Sequence, residues 1–164
     1  MIVKYVETSH NGIQSLSLSR YAIGYILRGE KYIYYGDKRH RLSRGDLFYL
    51  GMGHHYTEDI PEEGHPFEQI MFYYTPSELQ RILLHLNITY GLNISNDHTC
   101  ENCRSFNHVV TPAWNPVRSF FVHTNNYPRD EAFLRDETAE NIKMTELIYL
   151  ISSPVSYTHL RAHE

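Results

Sequence analysis

Short apolar runs rich in rings and β-branched side chains, each closed by a turn signal, limit what this chain can become. AIGYILR (22–28), KYIYYG (31–36), DLFYLG (46–51) and EQIMFYY (68–74) follow one another. Between them lie Arg28-Gly29-Glu30, Gly36-Asp37, Gly45-Asp46, Gly51 to Gly53 and Ile60-Pro61. Strands broken by turns at this spacing predict a sandwich or small barrel over residues 1–74. Fourteen tyrosines and seven phenylalanines suit such a pleated surface. Gly36-Asp37 fits a hairpin turn, where glycine accepts positive φ.

The pattern changes at residue 75. Thr75-Pro76-Ser77-Glu78 reads as a capping box, with Pro76 in the first helical position. Leu79, Ile82, Leu83 and Leu86 then form one apolar stripe. Residues 87–113 read as irregular or extended. A second helix is expected with Asn115 as cap and Pro116 next, burying Val117, Phe120 and Phe121. A third runs from about Asp136 to Ile151, with Met144, Leu147, Ile148 and Ile151 on one stripe and Ile142, Tyr149 and Leu150 partly off it. Such a broad apolar surface needs a deep seat or two partners. Either it packs on its own barrel alone, or a second subunit covers the rest, with Phe121, Met144, Leu147, Leu150 and Ile151 as the candidate dimer residues. The end, VSYTHLRAHE (155–164), has no cap and no period and resembles translated adapter sequence, so the natural chain is expected to continue past Ser153.

Composition removes several classes of function. The chain has 164 residues, 41% of them hydrophobic, and a net charge of −4, which bounds a single domain with a core and no basic face for phosphate backbones. No apolar run reaches the ~20 residues of a membrane span, and MIVKYVETSH lacks the apolar region of a signal peptide. The expected location is the cytoplasm, without membrane contact. There the sequons at Asn87 and Asn93 are idle and the two cysteines stay reduced.

GDLFYLGMGHHY (45–56) raises the question of a metal. His54 and His55 are adjacent on an extended segment and point to opposite faces, so they cannot easily share one ion. The expectation is one histidine at the surface and the other in a polar core. His98-x-Cys100-x-x-Cys103 with His108 resembles half a zinc site at unusual spacing, the alternative being reduced cysteines in a connecting loop. The acids Glu58, Asp59, Glu62 and Glu63 read as a solvated loop. There is no nucleophile elbow, P-loop or dinucleotide fingerprint. No catalytic residue and no cofactor is expected.

Arg28-Gly29-Glu30, Gly45-Asp46-Leu47, Gly53-x-His55-Tyr56, and Phe67-Glu68-Gln69 running into Phe72-Tyr73-Tyr74 together resemble the N-terminal sensing domain of AraC-family transcription regulators. PAW…FF…ETAENIKMTELIYLI is similar to the helical part of Bacteroidetes-type members, which extends the resemblance over about residues 20–153. It implies a mainly β, cupin-like (jelly-roll) barrel over 1–74, followed by capping and homodimerisation helices over 75–153. It also implies a small effector, a sugar or other polar metabolite, and DNA binding through a helix-turn-helix domain absent from these residues. The family's pocket arginine falls on Arg28, its tyrosine on Tyr56, and its histidine on Glu68 if one loop residue is inserted. Its sugar-stacking tryptophan falls on Ile70, which has no ring, so arabinose is not implied. Arg28 could instead pair with Glu30 or Glu68. A competing reading is a metal-dependent cupin isomerase or dioxygenase. The strand SRYAIGYILRGE lacks the His-x-His such enzymes use, and Tyr56 stands where a later metal histidine would be.

Overall fold

The computed structural model describes residues 1–92, 108–126 and 136–152. Its strands are β1 (Ile2–Glu7), β2 (Ile13–Leu18), β3 (Tyr21–Arg28), β4 (Glu30–Tyr35), β5 (Lys38–Leu42), β6 (Asp46–Leu50), β7 (Gly53–Ile60), β8 (Phe67–Tyr74) and β9 (His108–Pro112). Its helices are α1 (Pro76–Tyr90), α2 (Asn115–Asn126) and α3 (Glu137–Ser152). The chain forms two units: a β unit of Ile2–Tyr73 with β9, and a helical unit that begins at Tyr74 and includes Met1.

In the β unit one sheet has the order β1-β8-β3-β6-β9 and the other β2-β7-β4-β5. This is the mainly β, jelly-roll architecture expected from the runs and turns. β9 comes from the stretch assigned to the helical region, yet it pairs with β6 from Asp46↔Pro112 to Leu50↔His108. The sheets share an inner face, because one apolar cluster draws Ala22, Ile26, Phe48, Leu50, Phe67 and Met71 from the first and Ile33 and Leu42 from the second. β3 and β8 are buried on both faces, which explains their nearly unbroken apolar sequence. Gly24 is required at this crossing, since an added Cβ would run into the Phe48 ring and the Met71 sulfur. At the rim, β5 exposes Lys38, Arg39, His40 and Arg41 and buries only Leu42.

The helical unit follows the sequence signals closely. Thr75 Oγ1 accepts from Glu78 N at 3.1 Å, and Thr75 N donates to Glu78 Oε2 at the same distance, so α1 opens on the expected capping box. It closes on Gly91, whose φ of 69° is the left-handed C-cap that glycine adopts without strain. Of the α1 stripe, Ile82 and Leu86 are buried. α2 begins at Asn115 itself and buries Val117, Phe120 and Phe121. Asp136 Oδ1 accepts from Thr138 N and Ala139 N, capping α3. Tyr74 Oη donates to the Met144 carbonyl at 2.8 Å, tying the start of this unit to α3.

Candidate functional site

Strand alternation decides which side chains face the interior of the β unit. On β7, His55, Thr57 and Asp59 are buried, whereas His54 and Tyr56 are exposed. On β8 the cluster residues Phe67 and Met71 put Gln69 on the inner face with them, and Tyr5 lies opposite Gln69 in the β1–β8 register. On β4, Lys31 shares the inner face with Ile33.

A polar cluster results that the sequence did not announce. Lys31 Nζ donates to Asp59 Oδ1 at 2.7 Å, and both residues are buried. The ammonium lies 5.5 Å from the centre of the Phe48 ring and 5.7 Å from that of Phe67. Glu7, half-buried at the end of β1, shares a hydrogen bond with Asp59. Burial, then the neighbouring Asp59 charge and that shared bond, hold the Glu7 carboxyl above the usual carboxylate range, with Lys31 acting against them. Deeper along β8, Gln69 is 6% exposed and its Oε1 has no hydrogen-bond partner. Tyr5 and Tyr73 join their hydroxyls at 2.8 Å beside the apolar cluster. His55 reaches the Gly51 carbonyl through Nε2 at 2.7 Å, as a polar core histidine, while His54 is at the surface.

The four residues assigned to the effector do not converge here. Arg28 Nη1 donates to His65 Nδ1 at 2.6 Å, and its Nε lies 3.8 Å from Glu68 Oε2. Lys4 Nζ meets Glu68 at 3.1 Å, so Arg28 and Glu68 belong to an ion-pair group rather than to the interior. Ile70 is buried, but on the β8 face opposite Gln69 and Met71. Tyr56 is 54% exposed on the outer face of β7. For Glu68 and Ile70 the physical reason is register. One residue of slip along a strand transfers every side chain to the other face, and the assignment of Glu68 and Ile70 rested on one inserted residue. Gln69, between them, is the inward residue.

Among the dimer candidates, Phe121, Met144 and Leu147 are buried within the chain, so they fill its own core and offer no face to a partner. Leu150 and Ile151 are half-buried. The exposed apolar residues of α3 are Ile142 and Tyr149, which lie with His85 and Tyr90 of α1 along a groove of about 830 Å³. His98, Cys100, Cys103 and the tail 155–164 lie outside the described residues. Among the described residues, no three His, Cys, Asp or Glu side chains converge as a metal-ligand set. No described helix is long and apolar enough to cross a membrane.

Two antiparallel sheets around a partly polar interior define a cupin-like, jelly-roll domain. Residues 17–112 match the AraC-like ligand binding domain family, and the chain belongs to it. No curated protein matches by sequence. By fold, the chain is similar to apo ToxT from Vibrio cholerae strain SCE256, with a TM-score of 0.62 at 8% identity over 98% of this chain and 57% of that one. ToxT of strain O395 bound to (E)-4-(8-methylnaphthalen-1-yl)but-3-enoic acid gives 0.51 at 8% identity, over 93% and 57% of the two chains. Wild-type ToxT of strain SCE256 bound to an unsaturated fatty acid gives 0.52 at 6%, over 97% and 54%. The chain thus spans a little over half the length of these structures, and at such identities the likeness is one of fold.

Proposed function

We propose that this chain is the effector-sensing and dimerisation part of an AraC-type transcription regulator. The observation that carries the reading is the family match over residues 17–112, centred on a barrel with a buried polar cluster. A small molecule enters the barrel, and its differential affinity for two arrangements of the protein shifts their populations. Two ToxT structures hold organic acids, which supports a small-molecule effector here without naming it. DNA is contacted by a helix-turn-helix region outside these residues, in keeping with the net charge of −4.

Homodimerisation through α3 is part of the same reading, with its face moved to the exposed Ile142 and Tyr149. Ile142→Glu is expected to halve the mass measured by analytical ultracentrifugation, and an unchanged dimer refutes this face. The function itself is tested by sequencing the source DNA past the codon for Ser153. The expected frame continues through two helix-turn-helix patterns with basic helices. A frame that stops after the tail makes the protein a free-standing cupin.

A further inference from the structure

The inner polar cluster is unbalanced in two independent ways. The first is charge. Glu7 and Asp59 lie side by side, sharing a hydrogen bond while Glu7 holds its proton, and the cation bonded to Asp59 is Lys31. Four other charged or basic side chains of the neighbouring strands have partners of their own. Arg28 turns to His65 and Glu68, Arg41 pairs with Glu30, His55 bonds the Gly51 carbonyl, and Asp46 takes the Ser43 amide. The group therefore carries one more negative than positive charge once Glu7 ionises.

The second imbalance is in hydrogen bonding. Gln69 Oε1 is a buried acceptor without a donor, a state that destabilises a folded protein. Gln69 and Glu7 share the inner face of the β1–β8 pair, since Tyr5 registers with Gln69 and Glu7 with Phe67, two residues along each strand. Their side chains are diagonal neighbours at this spacing. Glu7 is half-buried, whereas Gln69, Lys31 and Asp59 are buried. Such a place lacks a donor and a positive charge together, and a ligand ammonium brings both.

We propose that the effector presents a protonated amine to this end of the barrel, donating to the Glu7 carboxylate and to Gln69 Oε1 while Lys31 continues to hold Asp59. The assignment rests on the effector-sensing reading and names the chemistry of its ligand. It also differs from the organic acids seen in ToxT, for which an acceptor-rich, anionic site is a poor match.

Matched four-carbon probes test this on the full chain by NMR. n-Butylammonium, n-butanol and n-butyrate are titrated against the wild type, Glu7→Gln and Gln69→Met. The expected result is that butylammonium moves the Gln69 side-chain amide and its barrel neighbours more strongly than the other two probes. Glu7→Gln should weaken it about tenfold, the scale of one lost charge-assisted bond. Gln69→Met should raise the melting temperature of the free protein while lowering butylammonium affinity. If butanol or butyrate binds the barrel as well or better, the amine assignment falls and the effector reading stands. If no probe perturbs the barrel in a protein with an intact amide spectrum, the amine assignment falls as well. The effector reading is then judged separately by the reading frame beyond Ser153.

Discussion

Around Gly24 the inner face of the β unit is closed by contact, whereas around Lys31 it is closed by charge. At the first place Phe48 and Met71 fill the space a side chain would need, and Ala22, Ile26 and Leu50 complete an apolar seal. At the second, a salt bridge of 2.7 Å lies beside a carboxyl held above its usual range and an amide oxygen without a partner. Close packing gives stability and leaves no room for a ligand. An ionic group with an unmet acceptor gives less stability and leaves something to bind. One barrel thus separates a part closed by packing from a part closed by charge.

The largest effect expected is on the charged side. Lys31→Ala leaves the buried Asp59 carboxylate without its cation and should cost about 3–5 kcal/mol in urea unfolding. Lys31→Met combined with Asp59→Leu should cost less than either single change, because no lone buried charge remains. A double variant that is additive would show that the pair is not coupled. Next, Gly24→Ala should cost about 1–3 kcal/mol by overpacking against the fully buried Phe48. If it is neutral, the apolar side is looser than described and the contrast between the two places dissolves.

The smallest effect is the pH dependence of Glu7. Its value is raised in the folded state above the ordinary 4.5. Folding therefore takes up a proton between the two values. The stabilisation is fully present below the unfolded value and is lost as pH rises through the folded one. Glu7→Gln should remove this decline, so the stability of the wild type relative to the variant should fall with increasing pH across that window. An identical slope in both proteins, followed by unfolding midpoint against pH, would place Glu7 in solvent and outside the cluster.

Local chemistry was legible in the sequence. The Thr75–Glu78 box, the apolar stripes of the helices and the opposed faces of His54 and His55 each depend on residues a few positions apart; the structure shows the box and the opposed faces, and of the stripes it buries Ile82 and Leu86, Val117, Phe120 and Phe121, and Met144, Leu147 and Ile148. The interior site was not legible, for two physical reasons. Lys31 and Asp59 are 28 residues apart, and only the β4–β7 pairing makes them partners. In the sequence Lys31 belongs to an ordinary strand and Asp59 to a run of acids that reads as solvated. The second reason is parity. Glu68 and Ile70 fit a pocket pattern, but Gln69 between them points inward. The inner face of β7 is carried by His55, Thr57 and Asp59, polar residues whose alternation with His54 and Tyr56 leaves no apolar period in the sequence.

The outer rim of the second sheet has a consequence of its own. Among the described residues β5 ends that sheet with a row of amides and carbonyls that no strand pairs, a template on which a strand from another molecule can grow. Lys38, Arg39 and Arg41 stand along it, exposed, with Arg39 spread over the Tyr32 ring at 4.7 Å. Two such edges brought together antiparallel would set cation against cation along their length. Polymerisation by strand addition is therefore opposed on this side.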